Sequence, residues 1–241
     1  MTTTPFGLAH ICADQNIDGF CVNVKGVYRD SSGKALSDYE QPSVAVDTAV
    51  LTVGPTSGAL EVVLVRGEGA WALPGTFVHA RERLAEAVQR SLVDKVGLRG
   101  RSPAQLQVLD APERDDRGWV LSVAHVDVVP WAELAPVLER RPDDVAVRPC
   151  AEARGLAFDH DAIVELAAEH VRAGYRDRPD PAGLVAEPFT LRELRVVHAA
   201  VLGGLPHSAD TFRRSVLPFL VEVPGVREGT VGKPAQLYRR S

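Results

Sequence analysis

The sequence of 241 residues contains little cysteine, and its three cysteines (Cys12, Cys21 and Cys150) show no CxxC spacing. An odd number of scattered thiols argues against a disulfide scaffold and a zinc site, and it favours a reducing compartment. No apolar run approaches the roughly 18 residues that a membrane span needs, and the N-terminus lacks a basic stretch followed by an apolar run. We therefore expect a cytoplasmic protein with no signal peptide and no membrane partner.

Composition and length are those of a folded protein with room for two domains. Hydrophobic residues make up 45% of the chain and charged residues 24%, which argues against global disorder. The net charge of −5 is uneven, because residues 186–241 hold eight Lys and Arg against five Asp and Glu. This surplus of +3 leaves −8 on residues 1–185. A basic C-terminal part points to nucleic acid as a partner.

Strand patterns dominate the region from residue 41 to residue 130. The stretch SVAVDTAVLTV alternates and is rich in β-branched residues, and ALEVVLVR follows after the turn GPTSG, which predicts a strand pair. Two further strands are predicted in LQVLDAP and WVLSVAHVDVVP, joined by the charged loop ERDDRG. Residues 1–40 are left unassigned, although residues 14–30 are a candidate edge strand.

Two helices are predicted between and after these strands. The first spans 80–96 and ends at Gly97, a residue suited to a left-handed C-cap. The second spans 162–173. Their predicted inner faces are Leu84, Val88, Leu92 and Val96 in the first helix, and Ile163, Leu166, Ala167 and Val171 in the second. Residues 41–175 are thus predicted to form an α+β domain, an α/β/α sandwich with a mixed sheet.

The C-terminal residues read as a separate small domain. Residues 176–188 are rich in proline and charge, which is typical of a linker. In residues 189–241, Thr190 and Glu193 have capping-box spacing at the start of a helix, and Ser208 starts a second helix that Pro218 should end. Two short strands follow around a glycine-rich excursion. Helix, turn, helix and two-stranded wing predict a winged helix-turn-helix.

The helix in LPGTFVHARERLAEAVQRSLVDKVGL offers few carboxylates. Ser91, Asp94 and Lys95 share one helical face, where three carboxylates with Glu82 nearby would bind Mg²⁺. Ser91 is a neutral ligand at best, and a lysine ammonium repels a divalent cation. Since catalysis would need that ion to activate water, we predict no catalytic residue, no metal ligand and no required cofactor.

This segment resembles the box of the Nudix hydrolases, G-x5-E-x7-R-E-U-x-E-E-x-G-U with U apolar. The matching positions are Glu82, Arg90, Leu92, Gly97 and Leu98. The departures are Thr76 for the first Gly, Ser91 for the Glu after Arg90, and Asp94 and Lys95 for the last two Glu. The resemblance implies a Nudix-like fold with a nucleotide-binding pocket.

A metal-free pocket has its own candidate ligands. Lys95 is predicted to pair directly with a ligand diphosphate, with a solvated side chain as the equal alternative. The full set of predicted effector-binding residues is Arg66, Trp71, Glu82, Lys95, Arg114, Asp116 and Arg117. Trp71 could stack on adenine or belong to the core, and Arg114 with Asp116 could bind phosphate or ribose or form a solvated turn.

The second helix of a winged helix-turn-helix enters the major groove, and the wing lies on the backbone or in the minor groove. Arginine suits both guanine edges and phosphates. The predicted DNA-binding residues are Thr211, Arg213, Arg214, Lys233, Arg239 and Arg240. The alternative is a winged helix that docks a protein partner.

Taken with FTLREL, TFRR and GKPAQLYR, residues 40–241 resemble the Nudix-related transcriptional regulators of NAD metabolism. That resemblance implies a homodimeric repressor that binds palindromic double-stranded DNA and senses ADP-ribose or another NAD-related nucleotide. The rival interpretation is an active Mg²⁺-dependent ADP-ribose pyrophosphatase that uses Glu82, Asp94 and Glu86 as metal ligands.

Overall fold

A computed structural model describes residues 29–67, 69–205, 208–227 and 234–241. The chain divides into two compact units, Met1–Gln41 and Pro42–Ser241. The described part of the first unit is a short turn region, with a bridge between Arg29 and Ala35 and a 3₁₀ turn over Leu36–Asp38. The candidate edge strand in residues 14–30 lies almost wholly outside the described residues.

The larger unit is built on one mixed sheet, as predicted. Its strands are β1 (Ser43–Val53), β2 (Leu60–Arg66), β3 (Trp71–Ala72), β4 (Gly75–Phe77), β5 (Ala104–Leu109), β6 (Val120–Val128) and β7 (Val145–Pro149). The order is β3-β2-β1-β6-β5, with β4 beside β1 and β7 beside β2. β1 pairs in parallel with β6, and the remaining pairings are antiparallel.

Helices cover both faces of the sheet. Since successive strand residues point to opposite faces, β1 contributes side chains to both of the resulting cores. Val46 and Val50 face the core beneath α1 (Leu84–Ser91) and α2 (Trp131–Arg140). Leu51 faces the core beneath α3 (His160–Asp177). The predicted α/β/α sandwich is therefore confirmed.

The first helix begins later than predicted, and its last turn is π-helical rather than α-helical. It begins at residue 84 rather than 80, because the Glu82 carboxylate accepts the His79 amide in a turn before it. A π-helical turn over Leu92–Val96 follows it and ends at Gly97, whose φ of 86° is the left-handed cap expected there. The widened turn shifts which residues share a face.

The second predicted helix is longer than expected, and α2, β7 and the short strands β3 and β4 were missed. α3 extends to Asp177, and Leu166 is 37% exposed, so its place on the inner face was wrong. α2 carries an internal proline, Pro136, which disfavours a helix prediction. β7 lies in a stretch rich in arginine and proline, where no apolar alternation marks a strand.

The C-terminal part has the predicted winged-helix elements. They are α4 (Leu191–Leu202), α5 (Ala209–Val216), a 3₁₀ turn (Leu217–Phe219), β8 (Leu220–Arg227) and β9 (Ala235–Arg240). Thr190 and Glu193 form the expected capping box, and the Ser208 hydroxyl caps α5. Phe189 and Leu194 are fully buried in a small core of their own. In the described part of the chain, no helix is long and apolar enough to cross a membrane.

The segment between α3 and α4 is packed around the buried carboxylate of Asp180. This carboxylate accepts the Tyr175 hydroxyl at 2.5 Å, the Leu184 and Val185 amides at 2.9 Å each, and the Arg240 guanidinium. A buried charge requires such donors. The composition of residues 176–188 suggested a solvated linker, but this segment joins α3, α4 and β9.

His198 of α4 lies at the same junction. Its Nε2 accepts the Asp180 amide at 3.1 Å, and its ring contacts Tyr175 and Phe212 edge-on at centroid distances of 5.0 and 5.2 Å. Burial lowers the pKa of His198 to about 4, and attraction to the Asp180 carboxylate opposes this only in part. The folded protein therefore holds His198 neutral through mildly acidic pH.

This burial predicts a pH dependence of stability. An unfolded histidine titrates near 6.5, so the unfolded chain takes up a proton as the pH falls towards 4 and folding loses free energy. Between pH 7 and pH 5 the wild type should lose roughly 2 kcal/mol more unfolding free energy than His198→Gln, whose amide oxygen can still accept from Asp180. Urea denaturation at both pH values measures the difference. Equal losses would contradict a neutral, buried His198.

Candidate functional site

A cavity of about 1030 Å³ opens where β3, β4, the 113–117 loop and the start of α3 meet. Its lining includes five of the predicted effector-binding residues: Arg66, Lys95, Arg114, Asp116 and Arg117. Among the described residues, the lining does not include Trp71 or Glu82. The charged loop ERDDRG and the end of the box helix are thus brought together by the fold.

The floor of the cavity holds a buried carboxylate, Asp47 of β1. It is 7% exposed and accepts the Ser122 hydroxyl at 2.5 Å, with His160 Nε2 at 3.4 Å and the Arg114 guanidinium at 4.0 Å. Burial by itself would raise the pKa of Asp47, but His160, Ser122 and Arg114 hold it below its ordinary value. A fixed negative charge therefore lies at the floor.

His160 and Arg114 are held in place by further bonds. His160 Nδ1 accepts the Leu73 amide at 2.9 Å, so the ring proton lies on Nε2 and points at Asp47. Arg114, whose side chain is 3% exposed, donates to the Asp159 carboxylate at 2.9 and 2.5 Å. The first turn of α3 is thereby tied to the cavity floor.

The rim of the cavity carries two exposed aromatic rings beside a guanidinium. Arg117 donates two bonds to the buried carboxylate of Asp115, at 2.8 and 2.7 Å. The same guanidinium lies over the rings of Phe77 and Phe158, at 5.0 and 4.5 Å from their centroids. These distances are those of cation–π contacts.

Trp71 has a different environment from the one predicted for adenine stacking. Its ring packs against the core beneath α3, with the Arg66 and Arg148 guanidinium groups over it at 4.9 and 5.6 Å. Ala72, its neighbour in β3, lines the cavity instead, because successive strand residues point to opposite faces. We therefore replace the predicted adenine contact of Trp71 with a packing role.

Glu82 also has a structural partner. The Arg90 guanidinium donates to both Glu82 oxygens at 2.9 and 2.8 Å, and it also contacts the Thr76 hydroxyl and the Phe77 carbonyl. The Arg90 hydrogen bond, with the His79 amide, lowers the pKa of Glu82 to about 2. Glu82 holds the turn before α1, so its predicted effector contact gives way to this role.

The helix face that the sequence predicts to lack metal ligands carries Ser91, Asp94 and Lys95. Among the described residues, the buried Ser91 hydroxyl has no hydrogen-bond partner, and no three His, Cys, Asp or Glu side chains are grouped as a metal site requires. The Lys95 ammonium lies on the cavity side of this helix end. A hard dication prefers oxygen ligands without a neighbouring cation.

The winged helix presents a basic surface. Arg213 and Arg214 of α5 and Arg239 of β9 are exposed, and Thr211 is half-buried with its amide bonded to the Ser208 hydroxyl. Lys233 lies outside the described residues. These positions follow from the helix and strand periods that the sequence displays.

Arg240 points inward, unlike the other predicted DNA-binding residues that the structure describes. Its guanidinium pairs with Asp180 and Glu187, bonds the Val185 carbonyl and lies over the Phe189 ring at 5.5 Å. An arginine committed to a buried carboxylate is unavailable to phosphates. We therefore remove Arg240 from the DNA-binding set.

Sequence reasoning missed several residues of the site. Asp47 and His160 form the floor, while Phe77 and Phe158 form the rim. One signal was present for Asp47, since a carboxylate amid β-branched strand residues is unusual inside a sheet. The two phenylalanines carried no such mark, because isolated aromatics mostly belong to cores.

Fold and site together define a Nudix-like domain with a polar cavity, joined to a DNA-binding winged helix. Residues 181–240 match the family model of the NrtR DNA-binding winged helix domain. NrtR of Shewanella oneidensis, in a crystal structure with a 27mer DNA, is 30% identical with a TM-score of 0.70, and the match covers 82% of this chain and 93% of that one. The chain thus belongs to the NrtR family of Nudix-related regulators of NAD metabolism.

Two curated relatives are also similar to this chain. The ADPR responsive transcriptional repressor NtrR of Acinetobacter baylyi is 28% identical over 211 residues, which cover 84% of this chain and 84% of that protein. The ADP-ribose pyrophosphatase of Methanocaldococcus jannaschii is 31% identical over 135 residues, which cover 53% of this chain and 73% of that enzyme. The first is a regulator and the second a hydrolase.

The approach of β4 to Asp47 yields a test of the cavity floor. A Cβ on Gly75 would lie 1.9 Å from Asp47 Oδ1 and 3.0 Å from the Val46 carbonyl, so Gly75→Ala must displace the carboxylate. We expect a loss of about 1–3 kcal/mol in unfolding free energy, measured with urea. Gly69→Ala, at the cavity rim with no atom within 4 Å of its added Cβ, is the control. Similar stability of the two variants would refute the close approach.

Proposed function

We propose that this protein is a transcriptional repressor of NAD-metabolism genes whose Nudix-like cavity binds ADP-ribose without hydrolysing it. The winged-helix match and the similarity to an ADPR responsive repressor support this function. The observation that carries the non-catalytic part is Lys95, which lines the cavity at a position where the Nudix box has a metal-binding carboxylate.

Charge explains how such a cavity would hold a diphosphate. Lys95 reaches the lining as a cation, whereas the Arg114 and Arg117 guanidinium groups are already paired with the Asp159 and Asp115 carboxylates. A lysine ammonium is an effective point-charge partner for phosphate. In this proposal Lys95 supplies the positive charge that a metal ion supplies in a hydrolase.

A second candidate function is ADP-ribose pyrophosphatase activity, which the similarity to the Methanocaldococcus jannaschii enzyme favours. It would draw its metal ligands from Glu82, Glu86 and Asp94. Glu82 is paired with Arg90, and the Glu86 carboxylate accepts the Arg83 amide at 2.9 Å. Both would have to leave these bonds, which makes this function the weaker candidate.

Calorimetric titration of ADP-ribose, first in EDTA and then in Mg²⁺, separates the two functions. We expect saturable binding in EDTA and no AMP in either sample. Lys95→Ala should weaken binding by roughly 10- to 100-fold, as expected for removal of a charge-assisted hydrogen bond of about 1.5–3 kcal/mol. Arg99→Ala, which removes an exposed cation outside the cavity lining, is the matched control.

Each other outcome has a clear meaning. AMP that appears only with Mg²⁺ would establish the hydrolase and reject the silent sensor. Absence of binding in both buffers would reject ADP-ribose as the ligand. Unchanged affinity of Lys95→Ala would place its ammonium in solvent, the alternative that the sequence left open.

The proposal extends to a homodimer that binds palindromic operators. Two winged helices related by a two-fold axis match half-sites separated by one or two helical turns. We propose that ADP-ribose stabilises an arrangement in which the winged helices no longer fit that spacing, so the operator is released. Such a switch requires different ligand affinities in the two arrangements.

DNA binding through α5 predicts a characteristic salt dependence. With 27-base-pair duplexes selected by the wild type from a random pool, affinity should fall steeply with salt. Arg213→Ala should weaken binding and flatten the log–log slope by about 0.9 for each phosphate that the variant no longer neutralises. Arg176→Ala, an exposed α3 arginine paired with Glu169, is the control. A salt-independent interaction would favour a protein partner instead.

A further inference from the structure

The rim of the cavity contains an aromatic group that the diphosphate proposal does not use. Phe77 and Phe158 are 38% and 44% exposed, although both line the cavity. Exposed aromatic rings that converge beside a polar cavity are unusual for a structural role, since packing would bury them.

Phe158 is also held in an uncommon backbone conformation. Its φ is 56°, in the left-handed region that a residue with a bulky side chain rarely adopts. The neighbouring chain is fixed, because the Asp161 carboxylate accepts the Gly155 and Leu156 amides at 2.9 Å each and the Ala157 amide donates to the Trp71 carbonyl. Strain maintained by such anchors is typical of ligand sites.

A planar cation already lies against this ring. Arg117, kept in position by two bonds to Asp115, places its guanidinium 4.5 Å from the Phe158 centroid. A ring that is 44% exposed with a guanidinium over it has area left for a second planar group. The positive charge of the guanidinium beside the Phe158 ring would also attract an electron-rich ligand ring that stacks there.

We propose that Phe158, Phe77 and Arg117 form the nucleobase subsite, in which the base of the ligand stacks on Phe158. This inference rests on the proposed function, because it assigns the adenine end of ADP-ribose to the rim and leaves the diphosphate to Lys95. It also moves the adenine contact from Trp71, whose ring packs against the core beneath α3 and which, among the described residues, does not line the cavity.

Substitutions that remove or keep the aromatic ring at position 158 test the subsite. Phe158→Leu keeps apolar bulk but removes the aromatic face, and it should weaken ADP-ribose binding about 10-fold or more in calorimetry. Phe158→Trp should retain affinity within about three-fold of the wild type, since it keeps a stacking face under the same backbone strain. Phe219→Leu, at an exposed ring of the winged helix, is the matched control.

Proton spectra of bound ADP-ribose give a second readout. Stacking should shift adenine H2 and H8 upfield with the wild type and with Phe158→Trp, but not with Phe158→Leu. Unchanged affinity of Phe158→Leu, or an equal loss in Phe158→Trp, would overturn the subsite while wild-type binding upheld the proposed function. Failure of the wild type to bind ADP-ribose would overturn both.

Discussion

The fold of the C-terminal half depends on one buried carboxylate. Asp180 is fully buried, and its charge would be strongly destabilising without the hydroxyl, amide and guanidinium donors around it. Those donors come from Tyr175 at the end of α3, from the turn before α4 and from Arg240 in β9. Satisfying a single charge therefore fixes the position of the wing and the first winged-helix element relative to the sandwich.

At the other end of α3, the cavity is likewise built around a buried carboxylate whose charge is compensated by its neighbours. Asp47 is buried on β1, and the groups that compensate its charge are the ones that shape the floor: Ser122 from β6, Arg114 from the loop and His160 from α3. Gly75 is required beside it, because any side chain would collide with the carboxylate.

The elements that depend on local periodicity and on helix capping could be predicted from the sequence. Strands β1, β2 and β6, the cap at Gly97 and the helices at Thr190 and Ser208 follow from local patterns, as does the exposure of Arg213 and Arg239. Long-range pairing could not be predicted. Nothing in the local sequence RDRPDPAGL indicates that Asp180 is buried or that the Arg240 side chain pairs with it. For the same reason the sequence could not show that the Trp71 ring packs against the core beneath α3 or that Phe158 lies at the cavity rim, since the face on which an aromatic ring lies depends on tertiary packing.

One helix has contacts with both buried charges. α3 is 18 residues long, about 27 Å, with its N-cap Asp159 and its first residue His160 at the cavity floor and Tyr175 in its last turn at Asp180. In the proposed switch, a ligand that displaced this end of α3 would strain the bonds to Asp47 and Arg114, and a rigid helix would carry the shift to the hydrogen bonds that hold the wing. Because packed interfaces change between discrete arrangements rather than by gradual deformation, small movements at the floor would then favour one wing position over another. A cavity that binds ADP-ribose without hydrolysing it, as proposed, suits such a mechanism, because hydrolysis would end the signal.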